Sequence, residues 1–306
     1  MGERLFTFVQ MEFAWELGPA DGRYLLRKAD GLERNEPEHV VVLGTVGSER
    51  RGMLRRRART RAADPEPARV PVARATVVDT VPLSTDAQGR AWLGDLDPEG
   101  EARRGTNALN RMLFAHRIAA ATPHVHEVSP AQALVVRAGY GEGELVADGL
   151  WRDARELVLS RERGGRRASV LRPQERLAVL LSGRGEALLC EELALRARLD
   201  LDAGRLALAA IELRHAYAAA LRELPGEGRA DLARRIEELE GLREGVERNA
   251  RLALPDVGDR GDATNPPGRP VAAGGQEHPD AQTARHALER LEAALRARTA
   301  SGFSQS

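Results

Sequence analysis

"RLFTFVQMEFAWEL", residues 4–17, sets Leu5, Thr7, Val9, Met11 and Phe13 on one side of an extended chain. Successive side chains of a strand leave opposite faces, so this spacing predicts a β-strand with one continuous apolar face. Gly18-Pro19-Ala20-Asp21-Gly22 follows as a turn into "RYLLR", and the pair reads as a hairpin. "HVVVLGTV" (39–46) is a third strand and "VARATVVDTV" (72–81) a fourth. A helix is expected over 106–121, where Leu109, Met112, Leu113 and His116 share one side. "QALVVRAGY" (132–140) and "GELVADGLW" (143–151) supply further strand, with Asp148-Gly149 as a turn. Hairpins rather than regular βαβ units predict an α+β fold over residues 1–160, a mainly antiparallel sheet with one or two packed helices.

Beyond this half the alphabet changes. Nine of the eleven aromatic residues precede residue 152, and from about 172 the chain is Leu, Ala, Arg and Glu at helical spacing. An Arg-rich joint (161–171) leads into an all-helical domain over 172–254. "LRPQERLAVLLSG" opens with Pro173 near a helix start and closes at Gly183. Two helices then meet near Asp202-Ala203-Gly204. Another carries Leu232, Ile236, Leu239, Leu242 and Val246 close to a heptad seam. Tyr217-xx-Ala220-Leu221-xxx-Pro225 resembles the closing half of a tetratricopeptide repeat, which implies a helical hairpin; no second copy occurs at the expected period. Residues 255–280, rich in Pro, Gly and Asp, read as a disordered linker. A tethered amphipathic helix occupies the segment 281–306, with a leucine stripe at Leu288, Leu291 and Leu295. It is expected to rest weakly on its own helical domain and to be released to a partner.

Composition closes several chemical routes. Lys28 is the only lysine among 46 basic residues, so no P-loop lysine is present, and Schiff-base chemistry would fall to Lys28 alone. The lone Cys190, among leucines at helical spacing, reads as a buried structural thiol. "RAGYGEGE" has the spacing G-x-G-x-G with two acids, unlike a dinucleotide fingerprint, and reads as a glycine-permitted bend or bulge in the sheet. "DLDPEG" (95–100) resembles half of a calcium loop but lacks a carboxylate at its twelfth position, which is Thr106. His124 and His126 share a strand face and, with His116, form the one candidate metal or enzyme site. No cofactor motif occurs. No apolar run is long enough to cross a membrane, and Glu3 and Arg4 spoil a signal peptide, so a cytoplasmic address is expected.

The strongest local charge is the Arg-rich loop 47–69. It holds Arg50, Arg51, Arg55, Arg56, Arg57, Arg59 and Arg61 with no acid among them. Arg163, Arg166 and Arg167, within the joint cluster Arg161–Arg172, form a second group. Together they suit sequence-blind contact with nucleic-acid phosphates. Against that, the net charge is zero and arginine is this chain's preferred base. Three functions are therefore expected in descending order. The first is a non-catalytic adaptor holding another protein through the helical domain and terminal helix. A polyanion-binding accessory protein comes next, and an enzyme or metal protein around the three histidines last. If the arginine loop grips phosphates, binding of a single-stranded oligonucleotide in a polarisation assay should fall steeply with salt. Replacing Arg55, Arg56 and Arg57 by Ala should reduce the log–log slope by about 2–3. Absence of binding at low salt excludes the polyanion function.

Overall fold

A computed structural model of the chain describes residues 4–28, 37–47, 72–159, 173–183, 185–225, 230–254 and 278–302. The Arg-rich loop beyond Gly47, the joint and most of the linker lie outside the described residues. Two compact units divide the chain at Arg161.

In the first unit six strands form one antiparallel sheet: β1 (Leu5–Phe13), β2 (Gly22–Arg27), β3 (Pro37–Val46), β4 (Val72–Asp79), β5 (Val135–Glu142) and β6 (Asp153–Glu156). Their order is β2-β3-β4-β1-β5-β6. The expected odd-numbered face of β1 is present: Val9, Met11 and Phe13 are fully buried, packed in one core with Leu109, Met112 and Leu113. The expected β1–β2 hairpin is not. β1 pairs with β4 and β5, whereas β2 pairs with β3 at the sheet edge. The cause is burial on both sides of β1, since Phe8 and Gln10 on the even face are also fully buried. A strand buried on both faces belongs in the centre, while β2 alternates half-buried with exposed residues and suits an edge. Asp21 anchors the turn to β3 instead, accepting hydrogen bonds from the Thr45 N–H and hydroxyl at 2.9 Å each.

Two helices cover the odd face, α1 (Asp86–Asp95) and α2 (Pro98–Ala119). α1 has no counterpart in the sequence reading, and α2 starts eight residues earlier than expected. "DLDPEG" is the junction between them: Asp97 caps α2 by accepting from the Glu99 N–H at 3.2 Å, and Pro98 takes the first helical position. The glycines of "RAGYGEGE" bring no bulge, for β5 pairs with β1 in unbroken register. They permit close approach instead. A Cβ on Gly139 would lie 2.4 Å from the Asp153 carbonyl oxygen, and one on Gly141 would lie 2.8 Å from Val146. Residues 143–151, expected as strand, form a 3-10 turn over Gly143–Asp148 that closes at Gly149 (φ 87°). This segment covers the even face: Val146 packs on Phe8 and Val78, and Trp151 stacks on Phe8 at 5.8 Å.

The second unit contains α3 (Pro173–Leu181), α4 (Leu189–Asp202), α5 (Leu206–Glu223), α6 (Ala230–Ala253) and α7 (Ala281–Gly302). The α4–α5 hairpin and its Asp202–Gly204 turn are as read from sequence. α4 to α7 share one core, in which Leu213, Tyr217, Leu239, Leu288 and Leu291 are at most 2% exposed. α7 is therefore an integral helix of this core rather than a weakly resting one. Its contact face is wider than three leucines, because Ala284, Ala287 and Ala294 are buried beside them. The Tyr217 hydroxyl donates to the Ala287 carbonyl at 2.8 Å, stitching α5 to α7. Asn249 clips the start of α7 to α6, accepting from the Asp280 N–H at 2.6 Å and donating to its carbonyl at 3.1 Å. Cys190 is buried at the start of α4; burial, then the Glu223 carboxylate beside it, pushes its thiol pKa upward, as suits a structural thiol. Replacing Leu291 by Ala should lower stability by about 2–5 kcal/mol in urea unfolding. A change below about 1 kcal/mol would show that α7 is not part of the cooperative core.

Candidate functional site

A polar row crosses the helix-covered face at one end of the sheet. The β3–β4 register sets His39 opposite Asp79, and Thr7 lies one residue beyond the Phe8–Val78 pair of β1 and β4. The Thr7 hydroxyl donates to Asp79 Oδ2 at 2.5 Å, and Arg104 of α2 donates to Oδ1 at 2.6 Å while also holding Glu101. His39 Nδ1 stands 3.0 Å from Oδ1 without an aligned hydrogen bond, so that contact is one of proximity rather than direction. Arg111, two turns further along α2, reaches Glu38 at 2.5 Å and the Arg27 carbonyl at 2.6 Å.

Burial pushes the Asp79 carboxyl pKa up, but His39, Arg104 and Thr7 outweigh it and bring it down to about 2. A carboxylate that weakly basic cannot activate the threonine bonded to it. The row therefore fastens α2 to the sheet. Its acid dependence has a definite sign. The folded pKa of about 2 lies below the ordinary 3.8, so the stabilisation is fully present above pH 4. It is lost as pH falls through 2, and amounts to on the order of 2 kcal/mol. Asp79→Asn should lower the melting temperature at pH 7 and flatten the loss of stability between about pH 4 and 2. An unchanged acid limb in thermal unfolding would refute this assignment.

A cavity of about 440 Å³ opens at the same end of β1 but on its β5–β6 side, where Tyr140 pairs with Thr7, and is lined by Leu5, Asp86, Arg90, Tyr140, Arg152 and Asp153. The Tyr140 ring lies over Gly89 of α1, where a Cβ would come within 2.6 Å of it. The hydroxyl donates to Asp86 Oδ1 at 3.0 Å, and Asp86 Oδ2 pairs with Arg90 at 2.6 Å. Burial, then Asp86, raises the Tyr140 pKa and keeps the phenol protonated. Neither Tyr140 nor Asp86 stands out in the sequence. Their 54-residue separation carries no local pattern, and "RAGYGEGE" draws attention to its glycines instead.

The second unit leaves leucines uncovered. α3 has no buried residue, and its Leu177 and Leu181 are 49% and 80% exposed. On α4, Leu195 and Leu199 are 67% and 44% exposed. Each pair is spaced i,i+4 and lies on one helix face. Arg176 fixes α3 to the start of α4 through the Glu186 carbonyl at 3.1 Å and Glu191 at 3.2 Å.

The residues singled out from sequence fare differently. Leu288 and Leu291 are buried in the bundle and Leu295 packs at its margin, so in this state they meet their own chain rather than a partner. His116 is half-buried on α2, while His124 and His126 are exposed in the segment that follows. No three His, Cys, Asp or Glu side chains converge as metal ligands among the described residues. Arg50, Arg51, Arg55, Arg56, Arg57, Arg59, Arg61, Arg163, Arg166 and Arg167 lie outside the described residues. No described helix is long and apolar enough to cross a membrane. No protein-family model, curated protein or solved structure matches this chain.

Proposed function

We propose that this chain is a non-catalytic adaptor that holds another protein through its helical unit. The observation that carries this is the pair of uncovered leucine steps, Leu177/Leu181 and Leu195/Leu199. α3 buries no residue of its own, so nothing within its own packing accounts for its two exposed leucines. Apolar residues at i,i+4 on a helix are the anchors by which helices dock into partner grooves. Covering four part-exposed leucines yields on the order of 4–6 kcal/mol gross. Association costs at least about 4 kcal/mol of that in lost freedom, so the contact is transient unless polar contacts add to it.

A second function, sequence-blind binding of a polyanion, is favoured by the seven acid-free arginines between Arg50 and Arg61. The two separate experimentally. The chain is used as bait after nuclease treatment, as wild type, as L177E/L181E/L195E/L199E and as R55A/R56A/R57A. The adaptor function predicts a partner lost at least about tenfold in the leucine variant and retained in the arginine variant, with an unchanged melting temperature. Retention of every captured protein by the leucine variant refutes it.

A further inference from the structure

The cavity at Tyr140 lies in the first unit and stands independently of the adaptor function. Its walls carry charges of both signs. One wall is α1, where Asp86 and Arg90 are successive turns of the helix. Opposite, Arg152 and Asp153 lead into β6. The β5–β6 register pairs Tyr140 with Asp153, so both side chains leave the same face of the sheet. The Arg152 N–H, bonded to the Tyr140 carbonyl at 2.9 Å, fixes that corner. Buried Leu5 forms an apolar floor.

Complementarity selects among ligands by sign. A simple anion such as phosphate would meet both arginines but also two carboxylates. A simple cation would meet both carboxylates but also two guanidiniums. A neutral apolar molecule would strip water from four charges and return nothing. Only a molecule bearing one charge of each sign satisfies both walls. The spare hydrogen-bonding capacity is arranged to match. The Tyr140 proton is committed to Asp86, so its oxygen is left to accept. Asp153 has no hydrogen bond or ion pair to the described residues, and accepts as well. Arg90 uses one nitrogen on Asp86 and keeps the rest of its five-donor fork.

We propose that this cavity binds a small zwitterion of the α-amino-acid type. The ligand ammonium lies between Tyr140 Oη and Asp153, its carboxylate meets the Arg90 guanidinium, and an apolar side chain rests on Leu5. At about 440 Å³ the space is within the range of small-molecule sites, roughly 300–1,000 Å³. The first unit thereby becomes a sensor for a free amino acid.

Calorimetric titration of the full chain with three matched probes tests this: L-leucine, 4-methylpentanoate (the carboxylate alone) and 3-methylbutylamine (the ammonium alone). L-Leucine is expected to saturate, with each single-charge probe weaker by at least about tenfold. Arg90→Gln and Asp153→Asn change exposed side chains and should leave the melting temperature unaltered while weakening L-leucine at least about tenfold. Tyr140→Phe should weaken it by about threefold to tenfold. Arg111→Gln, a control at the opposite, β2–β3 edge of the sheet, should leave it unaffected. The proposal is overturned by no saturation up to about 20 mM, by either single-charge probe binding as tightly as L-leucine, or by affinity that survives both Arg90→Gln and Asp153→Asn.

Discussion

The first unit depends on one constraint: β1 has to be buried on both faces at once. Val9, Met11 and Phe13 need an apolar cover on one side, and Phe8 needs one on the other. That places β1 in the centre of the sheet, brings α2 to one face and the 143–151 segment to the other, and excludes the short hairpin that its flanking turn suggests. It also buries Gln10, whose amide must then be satisfied. Its Nε2 donates to the equally buried Thr76 hydroxyl at 3.0 Å, across the β1–β4 pair. A buried amide without such a partner would cost about 1–3 kcal/mol, comparable to what a core leucine contributes. Register between β1 and β4 is thus held by a polar pair as well as by the apolar rows around it.

What the sequence disclosed follows the range of the forces involved. Strand and helix identity come from local periodicity, and five of the six strands, together with the helices of the second unit, lie where that periodicity places them. Strand order is non-local, and the turn after Phe13 gave no sign that Asp21 serves Thr45 rather than a hairpin. α1 escaped because Gly89 and Gly94 break its helical pattern; Gly89 is needed so that the Tyr140 ring can lie against the helix. The width of the α7 contact was hidden by alanine. Alanine reads as a helix former of no particular side, yet Ala284, Ala287 and Ala294 let the helices approach closely enough to seal Leu288 and Leu291. The polar row and the cavity were not legible at all. Each joins residues from three or more separate elements, and neither has a sequence signature until those elements are paired.

Arginine presents a different case, since the chain spends it freely and its net charge is still zero. In the described residues many arginines face a named acid: Arg23 with Glu144, Arg74 and Arg137 with Glu12, Arg104 with Asp79, Arg198 with Glu292. Several of these pairs join different elements, so charge balance is achieved pair by pair. These pairs join residues far apart in sequence, and whether Arg50–Arg61 find acids in the same way lies outside the described residues.

These pairs do not hold the fold up in equal measure. An exposed pair such as Arg23–Glu144 contributes about 0–1 kcal/mol, because water already solvates both ends. Asp79 differs, being largely enclosed, hydrogen-bonded by Thr7 and Arg104 and close to His39, and its depressed pKa reflects how strongly the surroundings prefer its charged form. The apolar cores therefore set most of the stability, while the inter-element pairs choose among alternative arrangements of those cores. An arginine left over from that pairing adds little to stability and can be given to a ligand. Arg90 meets this condition: its pair with Asp86 lies within one helix and joins no two elements, and the residue lines the cavity.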